Sequence, residues 1–242
     1  MKKLADITIC LALLLVLARF MPLHAQRQTS APAAGPGARS VSVNAAPPKQ
    51  PSFDCRKAVS PSEKTICANA ELSRLDFQLG RMWRILLDDF IDSAQRTLMK
   101  EDQRTWIARR TKCGDDADCI GKLYRDRLST LNGADPAHRF SGVYEVKDIG
   151  YFALFPIGNR YLVNIQTADP REGRWECELA GEAESSGDDL EIKIEGSVFQ
   201  ARLQDTKMLV VSNTESVSKA ASQFCGLNGT FAFSYHRVRP NL

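Results

Sequence analysis

Histidine is nearly missing from this chain: His24, His138 and His236 are the only three. That leaves few imidazoles for metal binding and few for general-base chemistry. Cysteine pairs at the spacing of roughly two to four residues used by structural zinc sites are also absent, so no metal site is expected. The sequence has no Gly-x-Ser-x-Gly elbow, no His-Glu-x-x-His and no glycine-rich phosphate loop, which points away from an enzyme and from a cofactor. Concentrated charge is lacking too. Residues 53–135 hold 15 basic and 14 acidic side chains, and residues from 136 onward hold 11 and 14. A nucleic-acid binder would gather basic charge on one domain, so no nucleic-acid partner is expected.

One sustained apolar run is present. Residues 7–18 follow the basic start Met1-Lys2-Lys3, and Arg19 ends the run short of a comfortable bilayer span. Leu23-His24-Ala25 then resembles a small-residue cleavage site, so residues 1–25 read as a signal peptide, with Cys10 lost alongside it. The expected product is exported, periplasmic or secreted, without stable membrane insertion after cleavage. Residues 26–52 are rich in Ala, Pro, Ser and Gly, contain no acid and show no apolar period. Such a stretch cannot bury enough surface to offset its chain entropy and reads as a disordered linker.

Beyond the signal six cysteines remain, an even set suited to an oxidising compartment: Cys55, Cys67, Cys113, Cys119, Cys177 and Cys225. The first four flank a segment of helical periodicity. Ser60-Pro61-Ser62-Glu63 forms a helix start with a capping box, and Asn69 can cap the helix that follows. There Leu72, Leu75, Leu79, Met82, Trp83, Leu86 and Phe90 recur at three- and four-residue steps as one apolar stripe. A turn near Asp92 leads to a helix with Trp106. Asp115 or Asp116 can cap a last helix bearing Ile120, Tyr124 and Leu128. If the long stretch folds as two antiparallel helices, all four cysteines gather at one end of a bundle. Local pairs 55–67 and 113–119 are favoured there, and the crossed pairs 67–113 and 55–119 stay open. Each short loop would contribute about 2–3 kcal/mol in the chain-entropy model.

From Phe140 the period becomes two. Tyr161, Val163 and Ile165 alternate with Leu162, Asn164 and Gln166, and similar alternation marks residues 174–179 and 190–195. Turn signals at 147–150, 158–159, 186–188, 195–196 and 204–206 separate seven or eight half-buried antiparallel strands. The last is expected at 230–238, with Phe231, Phe233 and Tyr235 on one face. The polar stretch 212–222 reads as a mobile loop, and Cys177 and Cys225 form the remaining pair. Glu176 and Glu178 share one strand face roughly 6–7 Å apart. They alternate with Trp175 and Cys177, so a solvated face accounts for them better than a glycosidase carboxylate pair.

The expected architecture is therefore two domains: an all-α, disulfide-stapled helical bundle over 53–133 and an all-β antiparallel small barrel or sandwich over 138–240. The helical part also resembles a known family. Phe53-Asp54-Cys55, Glu63-Lys64-Thr65-Ile66-Cys67 and Leu75-Asp76 are similar to its opening. Gln103-Arg104-Thr105-Trp106-Ile107-Ala108-Arg109-Arg110 matches its central segment, and Cys113 to Cys119 with Tyr124-Arg125-Asp126-Arg127-Leu128 its close. The family is the LprI-type lysozyme-inhibitor N-terminal domain, and the resemblance spans residues 53–131. It brings no catalytic residues. For the motif positions Gln103, Arg104, Trp106, Arg110, Tyr124 and Arg127 two readings stand. Trp106 and Arg110 can brace the bundle, with Arg110 paired to an acid such as Asp76, or they can face a partner as hot-spot residues. Two functions follow: an exported non-enzymatic inhibitor that binds lysozyme, or an envelope module that recognises peptidoglycan, a lipid or another protein without inhibition.

Overall fold

The computed structural model describes residues 50–90, 92–210 and 215–238; the signal-peptide reading and the linker reading up to residue 49 lie outside them. Four helices come first: α1 (Pro61–Ala68), α2 (Ala70–Asp88), α3 (Ser93–Thr111) and α4 (Ala117–Leu131). Each starts on a polar cap that satisfies otherwise orphaned backbone N–H groups. Ser60 and Glu63 close a reciprocal capping box, and Asn69, Asp92 and Asp116 cap α2, α3 and α4.

The apolar stripe of α2 packs chiefly against α1 and α4, not in an antiparallel pair with α3. Composition explains this departure. The buried positions of α3 are Gln95, Met99, Trp106 and Arg110, too sparse and polar a face to match the α2 stripe. The last residue of the expected linker, Ser52, contacts α2. The Ser52 N–H donates to Asp76, and a Cβ on Gly80 would lie 2.5 Å from Ser52 Cβ. A glycine in α2 thus lets the incoming chain lie directly on the helix.

Eight antiparallel strands follow: β1 (Gly142–Val146), β2 (Gly150–Ile157), β3 (Arg160–Ala168), β4 (Glu176–Ser186), β5 (Asp189–Ile194), β6 (Ser197–Gln204), β7 (Lys207–Val210) and β8 (Ser234–Val238). Each pairs with its sequence neighbour, and β8 returns to β1 through Val143, Tyr144 and Glu145, so the meander is a closed barrel and not a sandwich. Closure leaves no open sheet edge. The interior is filled by side chains. Phe199 and Phe231 rings lie 5.0 Å apart and Phe152 and Tyr235 5.6 Å apart, all four residues buried.

Two expectations for this half are corrected. The supposed mobile loop is largely a helix, α5 (Glu215–Phe224), whose Val217 and Ala220 pack on the barrel core. Val217, Ala220, Ala221 and Phe224 recur at helical steps, but three are small or branched, so the signal is faint. The last strand begins at Ser234, not at residue 230; Phe231 precedes it and reaches the interior as part of the approach.

The strands β2 and β3 are buried on both faces, unlike a half-solvated sheet. Phe152, Leu154, Tyr161, Val163 and Ile165 point into the barrel, whereas Ala153, Phe155 and Leu162 join the helical core. Trp83 meets Phe155 edge-on at 5.8 Å between centroids, and the Arg127 guanidinium lies 5.6 Å above the same ring. Gln95 of α3 donates to two strand carbonyls, Val163 O at 3.1 Å and Gly181 O at 2.7 Å. Each buried Leu or Phe at this seam contributes about 1.5–3 kcal/mol, so the helices and the barrel share a core. His138 closes a short 3-10 turn (Pro136–His138) between them, with Nδ1 2.9 Å from Asp135 Oδ2.

Candidate functional site

The motif residues of the helical half converge on one buried network. The Tyr124 hydroxyl donates to Asp76 Oδ1 at 2.6 Å and accepts from Arg110 Nη1 at 2.9 Å. It therefore bridges a carboxylate and a guanidinium 3.8 Å apart, both about 6% exposed at the side chain. Burial, then the Asp76 charge, pushes the Tyr124 hydroxyl far above its ordinary pKa, so it stays protonated and can donate. Trp106 packs its edge on Tyr124 at 5.1 Å and lies under the Arg110 guanidinium. A second node joins Arg127 of α4 to Asp102 and Gln103 of α3. Burial lowers the Arg127 pKa while Asp102 acts to raise it. Arg104 is exposed and belongs to neither node. Trp106 and Arg110 are 3% and 6% exposed, so both side chains lie inside the bundle.

What reaches solvent is different. Bridges join Cys55 to Cys67, Cys113 to Cys119 and Cys177 to Cys225. The first ties down a loop over residues 55–60, where Arg56, Lys57 and Val59 are exposed. Val59, at 80%, and Leu227, at 86%, are the most exposed large apolar side chains among the described residues. An open cleft of about 1990 Å³ runs between Met82 and Leu86 of α2, Leu131 of α4 and the barrel rim at Val143 and Arg237. The ion pairs Arg139–Asp188 and Arg202–Asp189, each 2.7 Å, border it.

Glu176 and Glu178 are exposed, with Cys177 buried between them. Among the described residues no group of three or more His, Cys, Asp or Glu side chains could hold a metal ion, and no helix is long and apolar enough to cross a membrane.

Residues 55–134 match the family model described as Lysozyme inhibitor LprI. The helical half is similar to that family over these residues. Curated relatives similar to the chain are proteins named Lipoprotein LprI from Mycobacterium bovis and from two strains of Mycobacterium tuberculosis. Each is 31% identical over 111 residues, a match covering 45% of this chain and 52% of the relative. The chain thus spans about half the length of the curated relatives it matches. No solved structure matches it significantly. The matched segment contains both the Asp76–Tyr124–Arg110 network and the stapled 55–60 loop. The barrel, from β1 onward, lies beyond the matched residues.

The sequence pointed to Trp106, Arg110, Tyr124 and Arg127 but gave no reason to single out Lys57 or Val59. A signal for Val59 exists. It sits just before the Ser60 cap, where an apolar residue ordinarily packs on the fourth helical position. That position is Lys64, so Val59 has no apolar staple partner.

Proposed function

We propose that this protein is an exported, non-enzymatic envelope protein that inhibits lysozyme by binding it. The supporting observation is the LprI match over residues 55–134, in which the motif side chains Trp106, Arg110, Tyr124 and Arg127 are packed into a buried framework. A framework of that kind displays surface loops and offers no reacting group. The relatives' printed name, Lipoprotein LprI, fits an exported setting, as do three disulfides. The test is a titration of the purified full-length protein against lysozyme clearing a peptidoglycan suspension. Saturable inhibition with a fixed stoichiometry is expected. Absence of inhibition against chicken-type, goose-type and invertebrate-type lysozymes would refute the reading.

A second reading rests on the cleft between α2, α4 and the barrel rim. Its apolar floor and charged border suit a binding module for a peptidoglycan fragment, a lipid or another envelope protein. Binding of such a ligand without inhibition would favour it.

A further inference from the structure

We infer that the 55–60 loop is the element of the helical half that enters a lysozyme's substrate cleft, with the Lys57 ammonium against the catalytic carboxylates and Val59 in an adjoining apolar subsite. The inference rests on the inhibitor reading above and names the contact that would produce inhibition.

Rigidity is the first argument. The Cys55–Cys67 bridge closes the loop, and Asp54 caps its single 3-10 turn by accepting from the Arg56 N–H at 3.0 Å. Glu63 Oε2 accepts from both the Val59 and Ser60 N–H groups, each at 3.0 Å. The chain leading into the loop is also tied to the buried network. The Ser52 N–H donates to Asp76, and the Arg110 charge helps hold the Glu63 carboxyl below its usual range, after its bonds to Ser60 and Val59. A loop so fixed loses little further freedom on binding, so its contacts count almost fully toward affinity.

Chemistry is the second. An apolar side chain held 80% exposed on a rigid loop forgoes burial that a partner can supply. Arg56 is engaged with Asp54 at 2.9 Å, whereas Lys57 is exposed and makes no ion pair among the described residues. The loop therefore offers one unneutralised cation two residues from one unburied apolar group. Lysozyme-type glycosidases hold two carboxyl groups roughly 5–5.5 Å apart in a cleft, one of them ionised during the reaction. A single ammonium complements that site and would exclude the substrate. The other exposed apolar tip, Leu227, sits on a turn from Gly226 to Thr230 that carries no cation, so it lacks this match.

The experiment compares inhibition constants of wild type, K57E/V59D and L227D, all as full-length protein with thermal unfolding and thiol content checked. Both loop positions are exposed, so the variants should fold. K57E/V59D should weaken inhibition at least about thirtyfold, the size of a hot-spot loss, and L227D should match wild type. Chitotriose filling the cleft should compete with the wild-type protein. Wild-type inhibition that K57E/V59D retains, or that chitotriose leaves unchanged, would overturn the inference while leaving the inhibitor reading intact. Loss of inhibition in L227D alone would move the contact to the barrel. A wild-type protein that binds no lysozyme would overturn the inhibitor reading itself, and this inference with it.

Discussion

Replacing Tyr124 by Phe removes one oxygen from the centre of the helical half and almost nothing else. The ring survives, so the edge contact with Trp106 at 5.1 Å is kept. Two hydrogen bonds go, each to a charged group: the donation to Asp76 at 2.6 Å and the acceptance from Arg110 at 2.9 Å. Bonds of this kind contribute about 1.5–3 kcal/mol each. Their loss will not simply add, because Asp76 and Arg110 already lie 3.8 Å apart and can close on one another once the hydroxyl is gone. We expect Tyr124→Phe to cost about 2–3 kcal/mol on these figures. Arg110→Met should cost more, about 3–5 kcal/mol, because it leaves the Asp76 carboxylate buried without a cation. The double variant Asp76→Asn, Arg110→Met should cost clearly less than the sum of its parts. The assay is urea unfolding of the full chain with disulfides intact, read as a shift in midpoint at unchanged slope. A Tyr124→Phe protein within about 0.5 kcal/mol of wild type, the range of neutral surface changes, would refute the bridging role of the hydroxyl.

Three further outcomes are expected. Burial, then the Glu145 and Asp88 charges, raises the Asp89 carboxyl to about 6. A raised folded-state value favours the fold below the unfolded pKa near 4, and that benefit is lost as pH rises through 6. Asp89→Asn should therefore stabilise by about 1–2 kcal/mol at pH 7, with no gain near pH 4; a pH-independent effect in paired urea titrations would contradict this. Removing the Cys177–Cys225 bridge, which closes 48 residues, should cost about 4 kcal/mol. Removing Cys113–Cys119, which closes 6, should cost about 2 kcal/mol, and equal losses in melting experiments would count against the loop-entropy account. Gln95→Ala strands the Val163 and Gly181 carbonyls at the seam and should cost about 1–3 kcal/mol, read most directly as faster hydrogen exchange in β3 and β4.

The helix caps and strand turns were legible because their signals are local. Ser60 with Glu63, Asn69, Asp92 and Asp116 each need only a neighbour a few residues away, and the barrel's turns sit on glycines and aspartates. What could not be read depended on the third dimension. Leu162 and Asn164 look like the solvent side of an alternating strand, yet they are buried because helices from earlier in the chain cover that wall. One clue was available: residues 152–157 form an unbroken apolar run, the mark of a strand buried on both faces. The residues that stand out in the sequence of the helical half, Trp106, Arg110 and Tyr124, lie in its interior. Lys57 draws no attention in sequence, since a lone lysine is ordinary, and Val59 shows only its missing staple partner; their fixed, exposed placement is what distinguishes them.

That division of labour connects the two observations. Asp76 accepts from the Ser52 N–H three residues before Cys55, and Arg110 acts electrostatically on Glu63, whose carboxylate holds the Val59 and Ser60 N–H groups. Tyr124 couples Arg110 to Asp76, the anchor of the chain that enters the loop. Buried motif side chains that bond one another can hold an exposed loop in one conformation. On this account the motif residues act on a binding partner only through the loop. A substitution at Tyr124 should then loosen residues 55–60 before it unfolds the domain, with exchange of the Val59 and Ser60 amides rising ahead of those in α2. A variant that lost stability while those two amides kept their relative protection would separate the network from the loop, and leave the buried residues a role in stability alone.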